Sequence, residues 1–189
     1  MLPPNIYNFY NFFEKNNEIP LINNHIMKTT QDDLNFYRID LILHKNITPS
    51  FIIKYLRNID YRNIFSSNSI NFKQIGNEHE NYWVEEETYN NVKTIFTWVA
   101  TKFQLISYVI KMNEETRNKK YYNCYKILKD TSKNCYILRF ETVYNNMDID
   151  QDIDVSIYLH MIINILKSSY SILKIPEDEY PDYFKIYEN

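Results

Sequence analysis

Glycine is nearly missing from this chain: Gly76 is the only one in 189 residues. A phosphate-cradling loop needs glycine where backbone N–H groups approach the ligand and where the turn requires φ > 0. The P-loop spacing, the G-x-G-x-x-G dinucleotide turn and the G-x-S-x-G nucleophile elbow are therefore closed to it. Cysteine is sparse too, with Cys124 and Cys135 alone, and neither these nor His25, His44, His79 and His160 show zinc-ligand spacing. No metal or other cofactor is expected. Long apolar runs are also lacking. Residues 92–112 are interrupted by Lys93, Lys102 and Gln104, and residues 155–173 by His160, Asn164 and Lys167, whereas a membrane-spanning helix needs about 20 predominantly apolar residues. The start, MLPPNIYNFYNFFEKN, has no basic segment and no small-residue cleavage site of a secretion signal. The expectation is a soluble intracellular protein, cytoplasmic or nuclear.

Other scarcities have a bland origin. Ala100 is the only alanine and there are five arginines, while Asn, Ile, Tyr, Lys and Phe abound. This usage resembles that of AT-rich viral or parasite genomes, and codon bias explains it as well as selection does. The net charge is −3 with no strongly basic half, so a broad footprint for duplex nucleic acid is absent. Eighteen Tyr and eleven Phe supply ample area for a core, and the length suits a single domain.

Periodicity sets the elements. Residues 5–15 read as a short helix with Ile6, Phe9, Tyr10 and Phe13 on one face. Residues 35–44 alternate, with Tyr37, Ile39, Leu41 and Leu43 on an apolar side and Phe36, Arg38, Asp40, Ile42 and His44 on a mixed one. Thr48 and Pro49 signal a helix start. Residues 60–66 and 69–75 read as short strands, Gly76-Asn77 as a turn and residues 81–88 as a strand. Residues 92–112 fit one helix or two strands, and their β-branched and aromatic content favours strands. Residues 121–128 and 134–144 form a hairpin. With a loop over Asp130–Lys133, Leu128 would face Cys135 and Cys124 would face Arg139, which keeps the sulfurs too far apart for a disulfide. A helix from Val155 to about Lys174 is apolar over most of its circumference, with a polar stripe of Ser156, His160, Asn164, Lys167 and Ser171, and Pro176 ends it. The fold class is α+β: one domain over residues 1–175, with an antiparallel sheet packed against a long C-terminal helix and short N-terminal helices. An acidic, aromatic tail covers residues 176–189.

The run Asp148–Asp154 lacks the glycine and the glutamate of a calcium loop. It reads instead as acidic residues at a helix start, with Asp152 or Asp154 as cap. Glu85 and Glu87 share one face of a strand. Lys126, Arg139 and Glu141 share a face of the hairpin, and Arg38 and Asp40 a face of the first strand. Carboxylates interleaved with cations on strands resemble the tunnel of metal-dependent RNA triphosphatases and related CYTH proteins. The resemblance implies Glu85, Glu87 and Glu141 as metal or base residues and Lys126 and Arg139 as phosphate contacts. Where that family opens and closes with Glu-x-Glu, this chain has Arg38-Ile39-Asp40 and Arg139-Phe140-Glu141, so each pair keeps one carboxylate. A curved sheet on a C-terminal helix also looks like lipid-binding helix-grip domains, whose aromatics would line an apolar cavity.

The leading expectation is a non-catalytic protein acting through contacts with another protein, because loop, metal and nucleophile signatures are all missing. Its anchors would be Tyr180, Tyr183, Phe184 and Tyr187 in the tail. A tunnel-type phosphohydrolase or its degenerate relative, and a helix-grip domain for a lipid or other apolar ligand, are the alternatives.

Overall fold

The computed structural model describes residues 26–31, 34–66, 70–79, 81–89, 92–112, 120–145 and 151–186. Among these residues eight antiparallel strands form one sheet: β1 (Ile26–Gln31), β2 (Leu34–Leu43), β3 (Ile70–His79), β4 (Tyr82–Tyr89), β5 (Val92–Ala100), β6 (Gln104–Met112), β7 (Lys120–Asp130) and β8 (Cys135–Asn145). Helices α1 (Pro49–Arg57) and α2 (Ile59–Phe65) follow β2, the long helix α3 (Gln151–Ile172) follows β8, and a one-turn α4 (Tyr183–Ile186) ends the described chain. The sheet order is β1-β2-β8-β7-β6-β5-β4-β3. The chain thus leaves β2 through two helices, re-enters at the far edge as β3, and returns by neighbouring strands until β8 closes on β2. This is the expected α+β architecture, with an antiparallel sheet against a long C-terminal helix and two short helices before the main run of strands.

Alternation decides what the sheet buries. Tyr37, Ile39, Leu41 and Leu43 face inward with Trp83, Phe96, Trp98, Leu105, Tyr125, Leu138 and Phe140, and all join one core with α3. From α3 that core takes Val155, Tyr158, Leu159, Met161, Ile162, Ile163, Ile165, Leu166 and Tyr170. His160 and Ser171 stay exposed, as the polar stripe requires. A helix buried on most sides tolerates this continuous apolar surface because both sheet and helices cover it. Residues 92–112 are indeed two strands.

Several local expectations are corrected. Residues 60–66 form α2 rather than a strand. Asn58 ends α1 and starts α2, its side-chain oxygen accepting from Tyr61 N at 3.1 Å, and Asp60 sits in the favourable first turn. Gly76 is no hairpin turn. It lies inside β3 with φ 76°, where the pairing with β4 shifts between Ile75 and His79, so the left-handed residue builds a bulge. The β7–β8 loop is Thr131–Asn134, because the Asp130 carboxylate accepts from Ser132 N, Ser132 Oγ and Lys133 N at 2.9, 2.6 and 3.2 Å. Those hydrogen bonds hold its pKa below the ordinary value. Asp130 therefore pairs with Cys135, and Cys124 stands opposite Glu141 rather than Arg139. Neither Cys124 nor Cys135 forms a disulfide. Helix α3 starts at Gln151, which places Asp152 and Asp154 in its first turn rather than at its cap. The helix expected over residues 5–15 lies outside the described residues.

The tail packs back onto the domain. Ile175, Tyr183 and Phe184 are buried in the common core, Tyr183 donates to Ile42 O at 2.7 Å, and Tyr180 and Phe184 meet Tyr170 edge-on. Burial raises the Tyr183 pKa well above 10.0, so its hydroxyl stays a donor. His44 Nδ1 accepts from Asn46 N at 3.1 Å, which leaves Nε2 to donate to Glu179 at 2.7 Å. That bond lowers the Glu179 pKa from its ordinary 4.5. The advantage of the wild type over Glu179→Gln is therefore expected at pH 7 and should vanish as pH falls through the depressed value. Urea denaturation across acidic pH measures it, and a pH-independent difference would contradict the assignment.

Scarcity of glycine also shapes the end of α3. Ile175 N donates to Tyr170 O and Lys174 N to Ser171 O, both at 3.0 Å, with Lys174 at φ 53°. This is the six-to-one and five-to-two pattern that normally ends on glycine. Lysine in the left-handed region is strained by about 1 kcal/mol. Lys174→Gly is expected to stabilise the fold by about 0.5–1 kcal/mol in chemical denaturation.

Candidate functional site

Charged residues are buried on both faces of the sheet, and the register shows which of them meet. Asp40 pairs with Arg139, which pairs with Lys126, while Arg38 pairs with Glu141, which pairs with Cys124. These side chains therefore share the face turned away from α3. Arg139 grips Asp40 through Nε–Oδ1 and Nη2–Oδ2 at 2.7 and 2.8 Å, and Arg38 Nη2 reaches the same carboxylate at 3.2 Å. Lys126 Nζ lies 2.8 Å from Glu141 Oε2, with both side chains fully buried. Burial raises the Asp40 pKa, while Arg38 and Lys126 pull it down.

Glu85 and Glu87 point the other way. Their cross-strand partners on β5 are Phe96 and Thr94, and Phe96 belongs to the core around α3. Arg62 of α2 meets Glu85 through two parallel contacts, Nη1–Oε1 and Nη2–Oε2, each 2.6 Å. Trp83 Nε1 donates to Glu85 Oε2 at 3.0 Å. Burial works to lower the Arg62 pKa, but Glu85 outweighs it and leaves the value raised. The guanidinium lies over the rings of Phe72 and Trp98 at 4.6 and 5.6 Å. Tyr158 of α3 donates a short hydrogen bond to Glu87. A row of rings runs onward through Trp83, Trp98, Tyr125, Phe140 and Tyr158, stacked except for the tilted Tyr125–Phe140 pair, with successive centroids 5.8, 6.0, 4.9 and 5.7 Å apart.

The tunnel candidates therefore fall into two sets. Lys126, Arg139 and Glu141 come together with Asp40, while Glu85 and Glu87 lie across the sheet from them. Among the described residues, no three His, Cys, Asp or Glu side chains gather as a metal site requires. Of the tail candidates, Tyr183 and Phe184 are buried, Tyr180 is partly covered, and Tyr187 lies outside the described residues.

A cleft of about 530 Å³ opens where α1, α2, β3 and β4 meet. Among the described residues, Lys54, Arg57 and Lys73 line it with one carboxylate, Asp60, and with Asn63, Gln74, Phe72 and Trp83. Arg57 lies 4.9 Å over the Trp83 ring and donates to His79 O at 3.1 Å. Asn63 donates to Phe72 O and accepts from Phe72 N at 2.8 and 2.7 Å, so α2 is pinned to the free edge of β3. Reading residues 60–66 as a strand hid this site. The helix brings Arg62 and Asn63 to the sheet, and the Asn58 cap was the signal for it.

No family profile matches the chain, and neither does any curated protein. Solved structures do. Human STARD10 covers 100% of this chain and 90% of its own length at 13% identity, with a TM-score of 0.52. A conserved protein of unknown function from Enterococcus faecalis covers 87% of this chain and 92% of its own at 11% identity and a TM-score of 0.52. A protein from Nitrosospira multiformis covers 70% and 94% at 9% identity and a TM-score of 0.50. The likeness is one of fold. Among the described residues no helix is long and apolar enough to cross a membrane.

The Arg62–Glu85 pair gives a direct test of this core. Removing one partner of a buried pair leaves a stranded charge, which destabilises by about 3–5 kcal/mol. Arg62→Met is expected to lose that much in denaturant melts. Adding Glu85→Gln should recover a large part, since the amide oxygen still accepts from Trp83 and no buried charge remains.

Proposed function

We propose that this chain is a non-catalytic ligand-binding domain of the helix-grip type, holding a small, partly apolar molecule in the cleft between α1, α2 and β3. The observation that carries the reading is the cleft itself. Its size lies within the usual range for ligand sites, about 300–1,000 Å³, and its floor is fixed by the Asn63–Phe72 clamp. The likeness of fold to STARD10 supports the architecture, while the choice of site rests on this chain's own residues.

Two features weigh against the other readings. The carboxylates named for a phosphohydrolase do not converge: Glu85 is held by Arg62 and Trp83, and Asp40 by Arg139 and Arg38. An aromatic tail docking on another protein needs exposed anchors, and Tyr183 and Phe184 are spent on the core.

Titration with the neutral fluorophore 1-aminoanthracene tests the proposal, alongside native mass spectrometry of the purified protein. Saturable binding near one equivalent is expected, with a change in tryptophan emission because Trp83 edges the cleft. Absence of both a retained small molecule and saturable uptake would remove the reading.

A further inference from the structure

Taking the cleft as the ligand site, we infer that its ligand carries a neutral amide whose N–H and C=O lie on one edge, as in a lactam or a primary carboxamide, and that this edge pairs with the backbone N–H and C=O of Gln74. The cleft already holds one pairing of this kind. The Asn63 carboxamide donates to Phe72 O at 2.8 Å and accepts from Phe72 N at 2.7 Å. One side-chain amide thus meets both main-chain groups of one residue.

The strand presents the same two groups again at Gln74. In an antiparallel ladder, alternate residues turn both N–H and C=O to the same side. Phe72 turns both to Asn63, and Ile70 O accepts from Ser66 Oγ at 3.2 Å. Residues 70, 72 and 74 therefore face away from β4. The pairing stays regular through Gln74–Glu85 and Ile75–Val84, which keeps Gln74 in that alternation. Gln74 lines the cleft, and no side chain among the described residues bonds its N–H or C=O. Its own side chain runs along the strand, where Nε2 donates to Gly76 O at 3.4 Å.

Apolar surface lies beside this rung. Phe72 and Trp83 are buried, share the Gln74 face of the sheet, and line the same cleft with Ile59. A flat ring can rest against them while its amide edge meets the strand. The main-chain pair is one donor and one acceptor. A carboxylate could use the N–H alone and would set its oxygens against the carbonyl, so the pair selects a neutral amide.

The flanking contacts limit the occupant to one rung. Asn63 covers Phe72 on one side. On the other, the bulge at Gly76 breaks the ladder after Ile75, and Arg57 donates to His79 O at 3.1 Å. An extended peptide takes its affinity from a row of main-chain bonds, and one rung gives too few. A trans peptide unit also points its N–H and C=O to opposite sides, whereas a lactam points them to one.

Comparison of 2-quinolinone, a fused-ring lactam, with N-methyl-2-quinolinone tests the inference, since the methyl compound keeps the rings and the carbonyl but has no N–H. The lactam is expected to bind about 5- to 10-fold more tightly and to shift the Gln74 amide in a nitrogen–proton correlation spectrum. Gln74→Pro deletes the N–H at a strand edge, where proline removes no ladder bond, and Gln74→Ala removes the side chain alone. At melting temperatures that verify both folds, the proline variant should bind 2-quinolinone about 5- to 10-fold more weakly than the alanine variant. If the proline variant does not fold, the two probes on the wild type decide. Equal affinities for them, an unmoved Gln74 amide, or no binding of 2-quinolinone would overturn the inference. The ligand-binding reading then stands if 1-aminoanthracene binds, and falls with it if none of the three compounds does.

Discussion

The pairing of Arg62 with Glu85 beneath the stacked rings of Trp83 and Trp98 is the contact on which the arrangement depends. A guanidinium can be buried only if its charge and its donors are met, and the parallel two-point contact supplies both. The geometry leaves little freedom: Arg62 must come from a helix laid against the inner face, and Glu85 must point inward from β4. Helix α2 is thereby held at the sheet edge, and its neighbour Asn63 reaches Phe72. The cleft exists because this short helix is fixed there. The same contact occupies Glu85 fully, so a residue type that often serves as a base serves here as an anchor.

The two faces of the sheet use charge in different ways. Inside, the carboxylates sit in an aromatic environment: Glu85 meets Arg62 and Trp83, and Glu87 accepts from Tyr158. On the opposite face, Arg38, Asp40, Lys126, Arg139 and Glu141 form a lateral layer across three adjacent strands. Such a layer also specifies register. A slip of one residue between β2 and β8 would turn Asp40 away from Arg139 and carry the charges into the apolar core.

Much of this was legible from spacing. Alternation in residues 35–44 separates the apolar face from the charged one, and Thr48-Pro49 marks the start of α1. The near-uniform apolar surface of residues 155–172 identifies the buried helix. Failures arose where one side chain overrides the pattern. The Asp130 carboxylate moves the β7–β8 turn, the Asn58 cap turns an apparent strand into α2, and a bulge absorbs Gly76. Each is a local hydrogen bond or dihedral, and periodicity carries no trace of it. Half of the charge cluster was legible, because its members share strand faces, but which carboxylates lie across the sheet depends on pairings set by the whole topology. The cleft was not legible: its residues come from α1, α2, β3 and β4 and share no motif.

The clamp of Asn63 on Phe72 has a consequence for the solution behaviour of the protein. An uncovered outer strand is a template on which another chain can lay its own backbone. A side-chain amide presents one donor and one acceptor in the geometry of a peptide group, so Asn63 imitates a neighbouring strand one residue long. It occupies the template at Phe72, and the bulge at Gly76 spoils it further on. Self-association by edge-to-edge stacking is thereby discouraged at this end of the sheet, with no proline in the strand.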